Sequence, residues 1–261
     1  AANKTKIFQN MKKILLTAGA IFLTTLTFAD NENYDGQLIT AGDFSQMSLV
    51  NSSWRNISTT MDRINYIYSD LTNAIFDGAV ITARFSSADL TRASFIGAYL
   101  SVSNTSQRST DFENATLANT NFTNATLSKA RFYYTNAQNA NFSCANLSGA
   151  YLNYTDIDGA IFNGANLSGA KFYYTNMLNA NLADANLSGA NLQDAINLTD
   201  THLRLASNIT KIILRDVSKF NLSGLNMSGA VFVNADGANF ANTDLTDATF
   251  DDVNLSDANF T

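Results

Sequence analysis

From Phe112 to Leu192 a large apolar residue falls on every fifth position: Phe112, Leu117, Phe122, Leu127, Phe132 and onward, with Ala137 the one small member. Two residues before these centres stands a small residue, Ala115, Ala125, Ala130, Ala140 and Ala145 in some units and Thr110, Thr135, Thr155 and Thr175 in others. The remaining three positions are mostly Asn, Asp, Ser, Gly, Lys or Tyr. A spacing of five fits neither the 3.6 of a helix nor the 2 of a simple strand, so the pattern is read as a repeat before any local propensity. The centre and the small residue two before it share an interior, and the other three positions face outward. A chain that turns a corner every five residues closes a square in four units. Equivalent sides of successive coils then stack about 4.8 Å apart as parallel pairings. The likeness is indeed best at twenty residues, where "ANLSG" recurs at 145, 165 and 185.

These units, with "ANLAD" from Ala180 and "ADLTR" from Ala88, follow the pattern A-[DN]-L-x-x, which resembles the pentapeptide repeat family over most of residues 71–261. The resemblance implies an all-β fold, a right-handed quadrilateral parallel β-helix with about 20 residues per coil. It is specific for fold and poorly specific for function. Phe122, Phe132, Phe142, Leu147, Leu152, Phe162, Leu167, Phe172, Leu182 and Leu187 are expected to form the inner ladders. Each contributes about 1.5–3 kcal/mol when fully buried, most of it offset by ordering the backbone.

Slips of the pattern divide the chain. Residues 30–70 are expected to form a cap: an atypical first coil around Phe44, Leu49 and Trp54, then a short helix placing Met61, Ile64, Tyr68 and Leu71 on one side, with Ser58 or Thr59 as its N-cap. Such a helix would cover the open edge of a solenoid. Residues 71–192 are the main solenoid, with a loop at 101–111 where the centres fall two residues out of step. Residues 193–219 read as degenerate coils, and repeats resume over 220–261 with a slip near Gly237. The motif runs to the last residue, so either a second copy covers that coil, making a homodimer, or the natural chain continues.

"MKKILLTAGAIFLTTLTFAD" has a basic start, an apolar run and small residues at Thr27 and Ala29, the layout of a signal peptide cleaved near Ala29. The run is short for a stable membrane span. Residues 1–29, including the ten ahead of Met11, are therefore set apart, and the expected location is exported, in the periplasm or outside a bacterial cell. Without them the chain keeps 12 basic against 22 acidic residues, which argues against direct nucleic-acid binding. Proline is absent altogether, which suggests that nearly every backbone N–H has a ladder partner.

No catalytic constellation appears, and no enzyme activity, metal or cofactor is expected. His202 is the only histidine and reads as a packing or surface residue, and Cys144, the only cysteine, as a tolerated outward position. Asn-x-Ser triplets at Asn146, Asn166 and Asn186 come from the repeat itself. Tyr134, Tyr154 and Tyr174 stand twenty apart and should stack on one outer face, with Tyr133 and Tyr173 beside them and Tyr151 nearby. This is either a strip that binds a protein or a glycan, or a cross-strand ladder worth about 0.2–1 kcal/mol per pair.

The preferred reading is an exported, non-enzymatic binding or scaffold protein with an unknown partner. Some pentapeptide-repeat proteins mimic duplex DNA and bind type II topoisomerases. The loop at 101–111 and the acidic run Asp236, Asp244, Asp247, Asp251, Asp252 and Asp257 are similar, and this is the alternative for a chain kept in the cytoplasm. Between 111 and 192, however, five acidic and three basic residues leave the surface nearly neutral. An ice- or surface-binding solenoid ranks last, because Thr116, Thr123 and Thr126 do not line up twenty apart.

Overall fold

The computed structural model describes residues 31–39, 42–59, 64–101, 109–250 and 252–261. The leader over 1–29 and most of the expected loop at 101–111 lie outside these residues. The described chain is a stack of parallel β-bridges with little helix: β1 (Leu38–Ile39) pairs with β2 (Ser58–Thr59), β3 (Ile64–Asn65) with β4 (Ala83–Arg84), and β5 (Ile213–Asp216) with β6 (Val231–Asn234). Single bridges carry the same parallel ladder elsewhere, in step with the five-residue units.

One unit shows why the chain folds this way. The Ala115 N–H donates to the Phe112 carbonyl at 2.9 Å, closing a turn whose third residue, Asn114, has φ 58°. Phe112 N–H donates to Arg131 O (2.7 Å) and Asn114 N–H to Tyr133 O (2.9 Å) in the next coil, while Thr116 N–H donates back to Ala88 O (3.0 Å). One N–H is left, that of Glu113, and the Asp111 side chain takes it at 3.1 Å. This is the physical meaning of an Asn or Asp wherever it precedes a centre: its Oδ1 caps the donor that the ladder misses. Asn121, Asn146, Asn166 and Asn186 do the same for Thr123, Ser148, Ser168 and Ser188. With all five donors engaged in such a unit, a proline would remove a bond at any of its positions.

Inside, Phe112 is fully buried and Ala115 is 1% exposed, and the ten residues named above as inner ladders, Phe122 through Leu187, are all at 0%. Rings dominate the first half of the core. Tyr34, Trp54, Phe76, Phe95, Phe122, Phe142 and Phe162 stack in one column, and Phe44, Tyr66, Phe85, Phe112 and Phe132 in a second that meets the first edge-on. Ring contacts resume at Phe232, Phe240, Phe250 and Phe260. The hydroxyls of Tyr34 and Tyr66 lie buried in this core with no hydrogen-bond partner among the described residues.

The register varies along the stack. Partners stand twenty apart from Asp111↔Arg131 to Asn176↔Ile196, but twenty-two apart at Asp43↔Asn65, nineteen at Asp70↔Asp89, twenty-seven at Arg84↔Asp111 and eighteen at Asn221↔Asn239. The ladder begins at Asn33↔Ser53, and the described residues between 33 and 70 carry it on through Asp43↔Asn65 and Ser48↔Asp70. The capping helix expected after Ser58 is corrected: Ser58–Thr59 and Ile64–Asn65 are β2 and β3, and Met61 lies outside the described residues. Ile64 and Leu71 point inward, but Tyr68 is 66% exposed and Tyr66 is the buried ring. A helical spacing selects Tyr68, whereas Tyr66, Leu71, Phe76 and Ile81 keep the period of five and are the buried set.

Residues 193–219 carry the ladder across, through Asn186↔Asn208, Asn191↔Ile213 and β5–β6, with one short helix, α1 (Asp200–Leu205), set into the coil. Its Leu203 is fully buried. His202 is mostly buried, and its Nδ1 accepts the Thr199 N–H at 3.0 Å just ahead of the helix.

Candidate interaction surface

The third residue of each turn needs left-handed backbone, a region that suits glycine and asparagine and is uncommon for bulky side chains. Asn, Asp or Gly fill most of these corners, as at Asn119, Asn124, Gly149 and Gly169. Lys129, Arg92, Lys211 and Lys219 are among the exceptions, and on one side of the solenoid tyrosine holds three consecutive corners: Tyr134, Tyr154 and Tyr174 have φ of 56°, 59° and 50°. Holding an L-residue with a Cβ there costs on the order of 1–2 kcal/mol. Stacking offsets part of it. Tyr134 and Tyr154 lie 4.9 Å apart with planes 11° from parallel, and Tyr154 and Tyr174 lie 5.3 Å apart at 17°.

The neighbouring rows complete the surface. Tyr151, paired in the ladder with Arg131 and Lys171, lies under the Lys171 ammonium, whose Nζ is 4.7 Å from the ring centre. Tyr133 tilts against Tyr151 at 5.7 Å and carries the Arg131 guanidinium above it at 5.4 Å. Arg131 is held by Glu113 at 2.9 Å and Asp111 at 3.3 Å. Burial, with Tyr151 close by, raises the Tyr133 phenol above its ordinary value. Tyr173 donates its hydroxyl to Gln193 Oε1 and sits tilted against Tyr174 at 6.4 Å. All six tyrosines singled out from the sequence thus fall on one side of the solenoid. Only Tyr134, Tyr154 and Tyr174 make a continuous stack, and Tyr133 and Tyr173 do not touch each other.

The geometry decides what this strip can offer. Within the stack each ring face is covered by the next ring, so a sugar has no interior face to lie on. What reaches solvent is a row of ring edges and hydroxyls, 45–56% exposed, beside two cations already seated on rings. The sequence reading missed those cations, whose signal was Arg131 and Lys171 at the ladder position of the same side. It also missed Tyr68, which stands at a corner of the same side several coils earlier (φ 58°).

Elsewhere, among the described residues, no group of three or more His, Cys, Asp or Glu could hold a metal ion. No helix among them is long and apolar enough to cross a membrane. Cys144 is exposed at a corner with φ 57°, and the outward Thr116 and Thr126 pair with Asn136 and Asn146, so they form no threonine column.

A parallel β-ladder with a five-residue unit, an apolar lumen and polar corners defines a repeat solenoid. The family model of pentapeptide repeats matches in eight copies, over residues 108–143, 130–169, 145–178, 160–207 and 232–261. The chain belongs to the pentapeptide repeat family. Among solved structures it is similar to a pentapeptide repeat protein of the Arabidopsis thaliana thylakoid lumen, with 25% identity over 46% of this chain and 77% of that one and a TM-score of 0.37. HetL, involved in heterocyst differentiation regulation in the cyanobacterium Nostoc sp. strain PCC 7120, matches at 22% identity over 97% and 92% of the two chains, TM-score 0.24. QnrB1, a plasmid-mediated fluoroquinolone resistance protein, matches at 18% identity over 89% and 91%, TM-score 0.25. No curated protein matches the sequence.

Proposed function

We propose that this is an exported, non-enzymatic binding or scaffold protein, built as a four-sided right-handed β-helix, that presents its tyrosine side to a protein partner. One observation carries the reading. Three bulky residues are kept at consecutive corners of one side where backbone geometry favours glycine or asparagine, and unfavourable backbone of this kind concentrates at functional sites. Covered ring faces and free hydroxyl edges favour a protein over a glycan, since tyrosine rings are frequent anchors in protein interfaces. The acidic net charge of the chain beyond residue 29 suits a basic partner.

The test is capture from extracellular or periplasmic extract by the wild-type chain and by a triple Tyr134→Asn, Tyr154→Asn, Tyr174→Asn variant. Asparagine suits the left-handed corner, so the variant keeps its fold. A partner retained by both removes the strip from the proposal. Fractionation with N-terminal sequencing tests export: a mature chain starting at Asp30 supports it. A cytosolic chain with residues 11–29 intact would move the acidic, topoisomerase-binding reading ahead, on the strength of the base-free stretch from Phe220 onward. Pairing of two copies through the last coil, where Leu255 and Phe260 are 38% and 47% exposed, belongs to the same proposal and is tested by sedimentation.

A further inference from the structure

The frame of five puts a core centre at residue 197, between Met177 and Val217, which are both fully buried. The residue there is Asn197, and it turns outward with φ 60°, donating its Nδ2 to Asn176 Oδ1 at 2.7 Å. The in-frame side chain is therefore turned out of the stack, Leu198 beside it packs on the core only in part, and α1 leaves the coil just after it. The result is an open cleft of about 280 Å³. Its floor is apolar: Leu192 is buried, while Ala195, Leu198 and Phe220 are only half-buried, unlike the fully covered alanines and centres of the neighbouring coils.

The rim is charged. The Arg215 guanidinium, itself a lining group, reaches Asp194 with Nη1 3.0 and 3.1 Å from the two carboxylate oxygens. Asp216 accepts three hydrogen bonds, from Ser218 N–H at 2.8 Å, from the Ser218 hydroxyl and from Asn234 Nδ2 at 3.2 Å, and all three go to Oδ1. Among the described residues Asp216 Oδ2 has no partner. Those bonds also hold the Asp216 carboxyl below its ordinary pKa, so it stays ionised. Lys219, the next cation along the chain, does not line the cleft; its Cγ stands 3.5 Å from where a Cβ on Gly237 would be.

We propose that this cleft binds an organic cation, a guanidinium or primary ammonium on a short aliphatic stem. The stem covers the exposed floor of Leu198 and Phe220, and the charged head pairs with Asp216 Oδ2 and competes for Asp194. Arg215 shows the chemistry that the rim accepts, a guanidinium on an aliphatic stem facing Asp194. With Asp194 and Arg215 offsetting each other, Asp216 leaves the cleft one negative charge, which an anion would have to oppose. Such a cation is found free, as a small amine, or on the arginine or lysine of a protein.

The experiment is a titration of the full chain with n-butylguanidinium, followed by NMR shifts of residues 192–220, with butyrate as the opposite-charge probe. Saturable shifts confined to the cleft are expected for n-butylguanidinium and not for butyrate. Asp216→Asn, which keeps Oδ1 for its turn, should weaken binding about tenfold, the scale of a lost charge-assisted contact. Arg215→Ala frees Asp194 and should tighten binding several-fold. A capped Gly-Arg-Gly peptide separates the two sources. Binding as tight as the free cation assigns the site to a partner's side chain, and exclusion of the peptide assigns it to a free small cation. Equal response to butyrate, no saturable shift, or an unchanged Asp216→Asn variant overturns the proposal.

Discussion

Tyr154 stacks between Tyr134 and Tyr174 at 4.9 and 5.3 Å while its own backbone sits at φ 59°. The two facts oppose one another energetically, and the opposition can be measured. Tyr154→Ala removes the stack and keeps a Cβ in a left-handed corner. Tyr154→Asn removes the stack but suits the corner. Losing the two ring contacts should cost about 1–2 kcal/mol in either variant, and asparagine should recover about 1 kcal/mol relative to alanine. Urea melts of the three proteins check this; alanine as stable as asparagine would show that the corner is not strained.

Among the described residues, the buried hydroxyls of Tyr34 and Tyr66 find no hydrogen-bond partner in a core of rings. Burial drives both phenols up, so neither ionises in the ordinary range. Tyr66→Phe should leave stability unchanged or raise it by about 1 kcal/mol, since an unsatisfied buried hydroxyl is removed and the ring is kept. A clear loss of stability in Tyr66→Phe would instead reveal a buried water on the hydroxyl.

Leu147 is fully buried in the middle of the uniform coils. Leu147→Asp places a charge where no partner exists, and the cost exceeds about 4 kcal/mol, the upper end for single substitutions. Because each coil leans on its neighbours, circular dichroism should show loss of the adjoining coils together. A surface control at an exposed corner, Asn124→Asp, should melt like the wild type.

His202 offers a pH-dependent term. Burial lowers its pKa, partly opposed by a hydrogen bond with the Met177 backbone, so the folded state favours the neutral ring. The unfolded chain binds its proton near pH 6.5. The contribution is therefore whole above about 6.5 and is lost as pH falls from there toward the folded value. The melting temperature of the wild type should drop between pH 7.5 and 5 by more than that of His202→Asn, whose side-chain oxygen can still accept the Thr199 N–H. Asp216 and Asp244, both lowered by hydrogen bonds to Ser218 and Thr246, act in a separate and more acid window, below about pH 4.

Much of this was readable in advance because the repeat ties chemistry to position. Phe122 and Ala125 announce the interior by their spacing alone, and the absence of proline is explained once the Asp111 side chain is seen taking the Glu113 N–H. The N-terminal coils were harder. Two overlapping periods fit residues 61–71, and only the ring column picks Tyr66 over Tyr68. The strain in the tyrosine corners was invisible, since a five-residue period says which way a side chain faces and nothing about the sign of φ. The cleft was half visible: Asn197 breaks the apolar series in plain sight, but whether another side chain would fill the gap depended on where α1 sent Leu203.

The ring columns have a mechanical consequence. They run unbroken from Tyr34 to Phe162 and start again at Phe232, and among the described residues no ring-to-ring stack crosses the coils around Asn197. Pulled from its two ends, the molecule would part at that seam before it parted anywhere else. A protease able to catch the opened seam would release two rods, each with its own aromatic spine.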